Sequence, residues 1–242
     1  MNAIETQGLT KRYRDVTAVD GLDLTVPEGE LFALLGVNGA GKTTTVKLLC
    51  CLTQPTAGKA LLLGHDTVRE PDAIKRVIAV SPQETAVAPK LTVRENLALI
   101  AGVHGMKQAE TDEAIDRLTR QLDLKSVLSR AAGKLSGGWQ RRLSIAMALI
   151  SSPRVLFLDE PTLGLDVLAR RELWDVILAL KGRSTILLTT HYMEEAEALS
   201  DRVGVMKDGR LLTVGTAAEL KARTCAPSLE QAFITLVKGA AT

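Results

Sequence analysis

The 242-residue sequence has no long apolar run and no excess of charge of either sign. Apolar runs such as Leu31–Leu35 and Val155–Leu158 are far shorter than the roughly 18 to 20 residues that a helix needs to span a bilayer. We therefore expect no membrane-spanning segment. The 30 basic and 28 acidic residues give a formal net charge of +2, far from the concentrated basic field of a nucleic-acid-binding surface. We therefore predict no nucleic-acid partner.

Cysteines and export signals are also scarce. The three cysteines match neither a disulfide framework nor the spacing of metal ligands, and we interpret them as structural. The first 14 residues are polar and charged where a signal peptide needs an apolar stretch, so we expect a cytoplasmic location. A composition of 46% hydrophobic and 24% charged residues is typical of an ordinary globular protein.

Hydrophobic periodicity predicts strands that alternate with helices. This alternation indicates an α/β fold with a mostly parallel sheet, and a run of helical patterns over 91–150 interrupts it. Asp208 and Gly209 predict a tight hairpin. The predicted strands are 31–35, 59–63, 77–80, 155–158, 185–189 and 203–206, and the predicted helices are 42–52, 92–103 with Thr92 as cap, 109–124, one from about 137, 167–180 and 194–199.

A glycine-rich stretch, GVNGAGKT at 36–43, fits the pattern G-x-x-x-x-G-K-[ST] between a predicted strand and a predicted helix. Glycines let the backbone curl so that successive N–H groups face phosphate oxygens, and the helix N-terminus adds partial positive charge. The alternative is a simple glycine-rich turn, which the flanking strand and helix disfavour. The predicted nucleotide-binding residues are Gly36, Asn38, Gly39, Ala40, Gly41, Lys42 for the β- and γ-phosphates, Thr43 for Mg²⁺ and Thr44 for the α-phosphate.

Two acids, Asp159 and Glu160, follow the apolar strand 155–158 at the edge where ligands bind in open α/β sheets. Adjacent residues of a strand alternate sides, so one acid can face a metal while the other faces an attacking water. We assign Asp159 to Mg²⁺ and Glu160 to the general base that activates the water. The alternative interpretation is that the two acids only cap a helix. The phosphate-loop motif in the same sequence disfavours it.

These elements fit any P-loop nucleotidase, kinase or GTPase. The stretch LSGGWQ at 135–140 resembles the signature motif of the ATP-binding cassette (ABC) family. The resemblance implies a single ABC ATPase domain over 1–225, with a P-loop core (1–87 and 151–225), an N-terminal antiparallel β subdomain and a helical subdomain (88–150), followed by a short helical tail at 226–242. Apolar residues of that tail form a helical stripe, which we expect to pack on the chain's own core.

The signature opens a helix, and helix N-termini bind anions. Ser136, Gly137 and Gly138 thus form a second phosphate-binding end in the same chain. In the ABC family this end completes the active site of the neighbouring subunit. The resemblance therefore implies two ATP molecules between two head-to-tail ATPase subunits, and the complete set of motifs favours a homodimer over a heterodimer.

Further positions match the family in order. Gln83 resembles the Q-loop glutamine, which contacts Mg²⁺ or the attacking water, and His191 resembles the switch histidine near the γ-phosphate. Tyr13 resembles the aromatic that stacks on adenine, although it could instead pack on its own hairpin. Asp166 lies in a stretch, GLD at 164–166, that resembles the D-loop. Trp139, Leu163 and Val167 depart from the commonest residues at their positions, and none of them removes a phosphate ligand or a catalytic group.

The family resemblance implies a transporter ATPase at the cytoplasmic face of the cell membrane, bound to separate integral membrane subunits that receive it near 83–96. With its single cassette, short tail and LSGGW signature variant, the sequence most resembles the ATPases of bacterial multidrug, antibiotic or polysaccharide exporters, and this resemblance implies export rather than import. The alternative is a soluble ABC ATPase that acts on ribosomes or DNA. That alternative is disfavoured because such relatives carry two cassettes or long coiled coils, and this sequence has one cassette and no sustained heptads.

Overall fold

The computed structural model describes residues 1–239, and its strands and helices alternate along the chain as the sequence predicts. The strands are β1 (Asn2–Tyr13), β2 (Val16–Pro27), β3 (Leu31–Leu35), β4 (Ala57–Leu62), β5 (His65–Asp66), β6 (Ile78–Ser81), β7 (Val155–Asp159), β8 (Thr185–Thr190), β9 (Arg202–Lys207) and β10 (Arg210–Gly215). The helices are α1 (Lys42–Leu49), α2 (Pro71–Lys75), α3 (Val93–Val103), α4 (Gln108–Gln121), α5 (Gly137–Leu149), α6 (Val167–Leu178), α7 (Met193–Leu199), α8 (Ala217–Thr224) and α9 (Leu229–Gly239), with short 3-10 turns at Lys125–Val127 and Ala132–Lys134.

Two sheets form the framework. The central six-stranded sheet has the order β10-β9-β3-β8-β7-β6, in which all neighbours are parallel except the β9–β10 hairpin. The second sheet is antiparallel, with the order β2-β1-β4-β5. The prediction of an α/β fold with a mostly parallel sheet, an N-terminal antiparallel sheet and a helical insertion is confirmed.

The central sheet is covered on both faces, which explains why its middle strands are continuous apolar runs. Along β7, Val155 and Phe157 pack into the core shared with the antiparallel sheet. Leu156 and Leu158 point to the opposite face and pack into the core shared with the helical segment. The carboxyl ends of β3, β7 and β8 therefore meet at one edge, where the phosphate loop, the two acids and His191 follow them.

The helical segment is built from α3, α4 and α5. Thr92 caps α3 as predicted, in a capping box with Glu95. Three helices, α1, α4 and α6, end two or three residues before their predicted ends. After α1 and α4 the cause is a left-handed backbone conformation, with φ of 58° at Cys51 and 51° at Asp123. The division into a core at 1–87 and 151–225 and a helical subdomain at 88–150 stays a prediction. No helix within residues 1–239 combines the length and the apolar content that crossing a bilayer requires.

The C-terminal helix α9 packs on the chain's own core. Leu229 and Phe233 are buried in a cluster with Leu35 of β3 and Val205 of β9, and Ala232 is also buried. The expected packing of the tail stripe is therefore confirmed, although positions 240–242 of the predicted tail lie outside the described residues. Helix α8, which precedes this tail, was not predicted. Of the three cysteines, Cys50 is buried, Cys51 is partly buried, and Cys225 is exposed at the C-terminal cap of α8.

Phe233→Ala should lower the free energy of unfolding by about 3 kcal/mol, because it removes a buried ring and leaves a cavity under α9. Ile234→Ala is the matched control: its side chain is 37% exposed and its loss should cost less than about 1 kcal/mol. Urea unfolding followed by circular dichroism measures both values. Equal losses in the two variants would mean that α9 does not depend on this buried face.

Candidate active site

The phosphate loop curls tightly between β3 and α1. Gly39 and Gly41 have left-handed φ values of 83° and 103°. A Cβ at Gly41 would lie 2.3 Å from the carbonyl oxygen of Ala18, so only glycine fits there. The loop turns back over its own lysine, whose ammonium donates hydrogen bonds to the carbonyl oxygens of Gly36 at 2.8 Å and Val37 at 3.2 Å.

The loop forms one wall of a cavity of about 610 Å³, a volume typical of small-molecule sites. Asn38 to Thr44, Gln83 and Glu160 line it, so the structure brings these predicted residues together. The sequence analysis missed the other lining residues, namely Val16, Thr17, Ala18 and Asp208, which come from the β1–β2 and β9–β10 hairpins.

Tyr13 is close in sequence to the cavity-lining residues Val16 to Ala18, but it is not itself one of the described residues that line the cavity. It pairs with Val16 across the β1–β2 hairpin, and its side chain is 44% exposed. The Lys11 ammonium lies 4.9 Å from its ring centroid. The assignment of Tyr13 to adenine stacking stays a prediction.

The carboxylate of Asp159 faces the phosphate loop from the end of β7. Its Oδ1 accepts a hydrogen bond from the Thr43 hydroxyl at 3.3 Å and another from the hydroxyl of Thr189 on the neighbouring strand β8. The Thr189 hydroxyl also accepts a hydrogen bond from the Glu160 backbone N–H at 3.1 Å. One buried hydroxyl thus fixes both acids, and the sequence analysis missed it because Thr189 lies within a strand that is otherwise a core element.

The carboxylate of Glu160 contacts two other predicted site residues. One oxygen lies 3.1 Å from the Lys42 ammonium. The other oxygen forms a hydrogen bond with His191 Nδ1. The side chains of Lys42 and Glu160 are only 5% and 6% exposed, so this ion pair is shielded from water. Glu160 also has a left-handed backbone with φ of 50°, a strained conformation that is common at functional sites.

Behind His191, side chains of α6 and α7 support the end of β8. The His191 ring lies 4.1 Å from the Tyr192 ring, which in turn packs under the Arg170 guanidinium. Glu195 is fully buried, and its carboxylate accepts a hydrogen bond from Trp174 Nε1 at 3.1 Å. Burial raises the pKa of Glu195, so its carboxyl holds a proton more readily than an exposed glutamate does.

The oxygen donors at the loop fit a magnesium ion. Residues 1–239 contain no cluster of three or more His, Cys, Asp or Glu that could hold a metal. Mg²⁺ bound to a nucleotide does not need such a cluster, since it takes one or two protein oxygens and completes its shell with phosphates and water. The Thr43 hydroxyl and the Asp159 carboxylate offer that set, and Gln83 lines the same cavity.

The predicted second phosphate-binding end lies apart from this cavity. Ser136 caps α5 with an extended backbone, and its side chain makes no capping hydrogen bond. Ser136 and Gly137 are exposed, Gly138 is partly exposed, and none of these three is among the described residues that line the cavity. The two predicted phosphate-binding ends of the chain therefore do not line one common cavity.

The residues that depart from the family pattern lie near this end. Trp139 packs against the helical core and lies under the Arg142 guanidinium at 4.5 Å. Asp166 caps α6 by accepting a hydrogen bond from the backbone N–H of Ala169 at 2.9 Å. Val167 and Leu168 follow it and are 70% and 76% exposed, which leaves an apolar pair on the surface beside the signature helix.

Comparisons with known proteins agree with this geometry. A family model described as ABC transporter matches residues 19–163. The chain is 44% identical over 220 residues to the daunorubicin/doxorubicin resistance ATP-binding protein DrrA of Streptomyces peucetius, covering 90% of this chain and 67% of that protein. It is 40% identical over 240 residues to the probable multidrug ABC transporter ATP-binding protein YbhF of Escherichia coli, covering 97% of this chain and 41% of that protein.

Solved structures give the same result. An ATP-binding subunit of an ABC transporter superposes with a TM-score of 0.85 at 30% identity, over 97% of this chain and 99% of that one. A dimeric ATP-binding cassette in a post-hydrolysis state, bound to ADP and Pi, superposes with a TM-score of 0.79 at 25% identity, over 88% of this chain and 98% of that one.

Proposed function

Because this chain belongs to the ABC transporter family and is an ATP-hydrolysing subunit of that family, we propose that it drives export by hydrolysing MgATP between two head-to-tail subunits. The observation that supports this most strongly is the convergence of Lys42, Glu160 and His191 at the edge of one nucleotide-sized cavity.

Binding of the phosphates is assigned to the loop. The backbone N–H groups of 38–44 surround the phosphates, and the Lys42 ammonium exchanges its contact with Glu160 for the β- and γ-phosphate oxygens. Thr43 and Asp159 would hold Mg²⁺, which neutralises charge on the phosphates when bound. Gln83 lines the same cavity.

Activation of the water is assigned to Glu160. Once Lys42 turns to the phosphates, the Glu160 carboxylate can accept a proton from the attacking water. His191 already contacts that carboxylate, so it can hold the base in place and donate to the γ-phosphate oxygen. Thr189 holds the two acids in different ways. Its hydroxyl donates a hydrogen bond to the Asp159 carboxylate and accepts one from the Glu160 backbone N–H.

The complete site needs a second subunit. Ser136 and Gly137 are exposed and lie outside the cavity, so they are free to bind the γ-phosphate held by a partner. The related cassette of known structure is dimeric. We propose that two copies of this chain pair head to tail, since one chain contains every motif that both sites require.

The membrane partners are proposed to bind near 83–96, where the segment after Gln83 meets the start of α3. Asn96 is buried there and stabilises the segment. Its side chain accepts a hydrogen bond from the Ala88 N–H at 2.8 Å and donates one to the Ala88 carbonyl oxygen at 3.1 Å. The chain is accordingly proposed to lie at the cytoplasmic face of the membrane. Two relatives are named for daunorubicin resistance and multidrug transport, and we propose drug-like, amphipathic molecules as the exported class.

Co-purification from gently solubilised membranes tests this proposal. Tagged chain should bring down a polytopic membrane protein in stoichiometric amount, identified by mass spectrometry, and cells should accumulate more of an amphipathic dye when the chain is deleted. Ribosomal or DNA-repair proteins in place of the membrane protein would contradict the transport function while leaving the ATPase site unaffected. Unchanged dye accumulation, with the membrane protein present, would contradict the proposed substrate class.

A further inference from the structure

Arg141 is a buried cation of α5 that points at the segment containing Gln83. Its side chain is 5% exposed, and its guanidinium donates hydrogen bonds to the carbonyl oxygens of Pro82 at 2.6 Å and Gln83 at 2.5 Å. Both acceptors are backbone carbonyls rather than carboxylates. Burial lowers the pKa of Arg141, and the charges of Asp159 and Glu195 act in the opposite direction. Burial is unfavourable for the Arg141 charge, and the two hydrogen bonds to adjacent carbonyls offset this while holding the guanidinium in a defined geometry.

A second bond joins the same two elements. The hydroxyls of Ser144 and Ser81 lie 3.0 Å apart and are both buried. Ser144 is three residues after Arg141, so both side chains lie on one face of α5. Ser81 is the last residue of β6, directly before Pro82. Helix α5 is thus fastened at two successive points to residues 81–83.

This connection joins the two nucleotide sites of the proposed dimer. Gln83 lines the cavity of its own subunit, and the first turn of α5 carries the exposed Ser136 and Gly137. A helix moves as a rigid body over distances of a few residues. A shift of Gln83 therefore displaces the first turn of α5 as long as the Arg141 bonds hold.

We propose that Arg141 is a positioning residue that couples Gln83 at the chain's own nucleotide site to the signature turn that completes the partner's site. The inference rests on the proposed function, because it needs Gln83 to respond to the bound metal and nucleotide. Arg141 acts through Gln83 and Ser136 and does not contact the reacting atoms.

The neighbouring Arg142 is a matched control, because it lies on the same helix and is 8% exposed. Its guanidinium points the other way, to the Glu172 carboxylate at 3.1 Å and the ring of Trp139 at 4.5 Å. Lysine keeps the charge at either position but lacks the planar guanidinium, in which two separate nitrogens each bind one carbonyl in a fixed geometry. The pair Arg141→Lys and Arg142→Lys therefore separates the bonds to residues 82 and 83 from the mere presence of a buried cation.

Hydrogen–deuterium exchange of the full chain, with ADP and Mg²⁺ added, tests the coupling without hydrolysis. In the wild type and in Arg142→Lys, binding should slow exchange both at 82–88 and at the first turn of α5, 136–140, by about threefold or more. In Arg141→Lys, protection should persist at the phosphate loop and disappear at 136–140. Equal protection at 136–140 in the wild type and in Arg141→Lys would overturn the inference.

Steady-state hydrolysis gives a second readout. Arg141→Lys should lower kcat about tenfold and abolish the cooperative dependence of rate on ATP, with the affinity for metal-free ADP unchanged within about twofold. A loss of kcat with unchanged cooperativity would indicate a structural role only. If Arg141→Lys does not fold, Arg141→Gln removes the paired bonds to residues 82 and 83 without leaving a buried charge, and it should lose the α5 response in the same way; an unaltered response there would equally refute the coupling. A wild type without ATPase activity would refute the proposed function, whereas the exchange experiment would still judge the coupling.

Discussion

Glu160→Gln should hydrolyse ATP about a thousandfold more slowly than the wild type while binding it at least as tightly. Loss of a general base typically lowers the rate by a factor of 10² to 10⁴, and glutamine cannot accept the proton of the attacking water. Binding should be retained because the Glu160 carboxylate lies 3.1 Å from the Lys42 ammonium. Glutamine occupies the same space without the negative charge, so the lysine becomes free for the phosphates.

Steady-state phosphate release and fluorescent-nucleotide binding measure the two quantities. Glu194→Gln is the matched control, since it makes the same change of charge at an exposed position in the first turn of α7. Its rate and affinity should stay at the wild-type values. Turnover of Glu160→Gln at the wild-type rate would refute the assignment of Glu160 as the base.

Gly137→Glu should lower ATPase activity about a hundredfold or more without unfolding the subunit. A Cβ at Gly137 would meet only the Leu165 side chain, at 3.7 Å, which is ordinary contact. The subunit therefore has room for the new side chain. In the proposed dimer the carboxylate would face the partner's γ-phosphate, and placing like charges together costs several kcal/mol.

Mixing this variant with Glu160→Gln tests the head-to-tail arrangement. In a mixed dimer, one site combines both damaged elements, and the other combines an intact Glu160 with an intact signature turn. Activity should reappear on mixing and rise with the second variant up to an equimolar ratio. A double variant mixed with wild type forms no intact site in the mixed dimer, so it serves as the control. Failure of the two single variants to restore activity, with dimers present, would contradict a site shared between subunits.

The sequence was sufficient for the features that depend on local pattern. The phosphate loop, the two acids at the end of β7 and the Thr92 cap each need only neighbouring residues, and the structure places all of them where the sequence predicts. The hairpin at Asp208 and Gly209 belongs to this group, since both residues have the positive φ that a two-residue turn of this type requires.

The features that were missed depend on residues far apart in sequence. Thr189 reaches Asp159 because β7 and β8 are neighbours in a register that pairs these two residues. Arg141 reaches residue 83 across a gap of 58 positions. Val16 and Asp208 line the cavity only because two hairpin tips fold over the loop. Hydrophobic periodicity identifies which face of an element is buried, but not which distant group it meets.

Helix ends were also placed too late in the sequence. The apolar pattern continues through Leu52 and Leu124, yet α1 ends at Leu49 and α4 at Gln121. In both cases a residue with left-handed backbone, Cys51 or Asp123, turns the chain. Neither is a glycine, so the usual signal for a helix end is missing at these sites.

The central sheet also determines which parts of the subunit can move. Strands β3, β7 and β8 are direct neighbours joined by hydrogen bonds, and such strands lie about 4.8 Å apart. The spacing among Lys42, Asp159 and His191 is therefore rigid, because changing it would break strand pairs. The signature turn belongs to the helical segment, which the chain enters after β6 and leaves before β7. We therefore expect movement that ATP drives within the subunit to occur in that segment, about these two crossings, and not within the sheet.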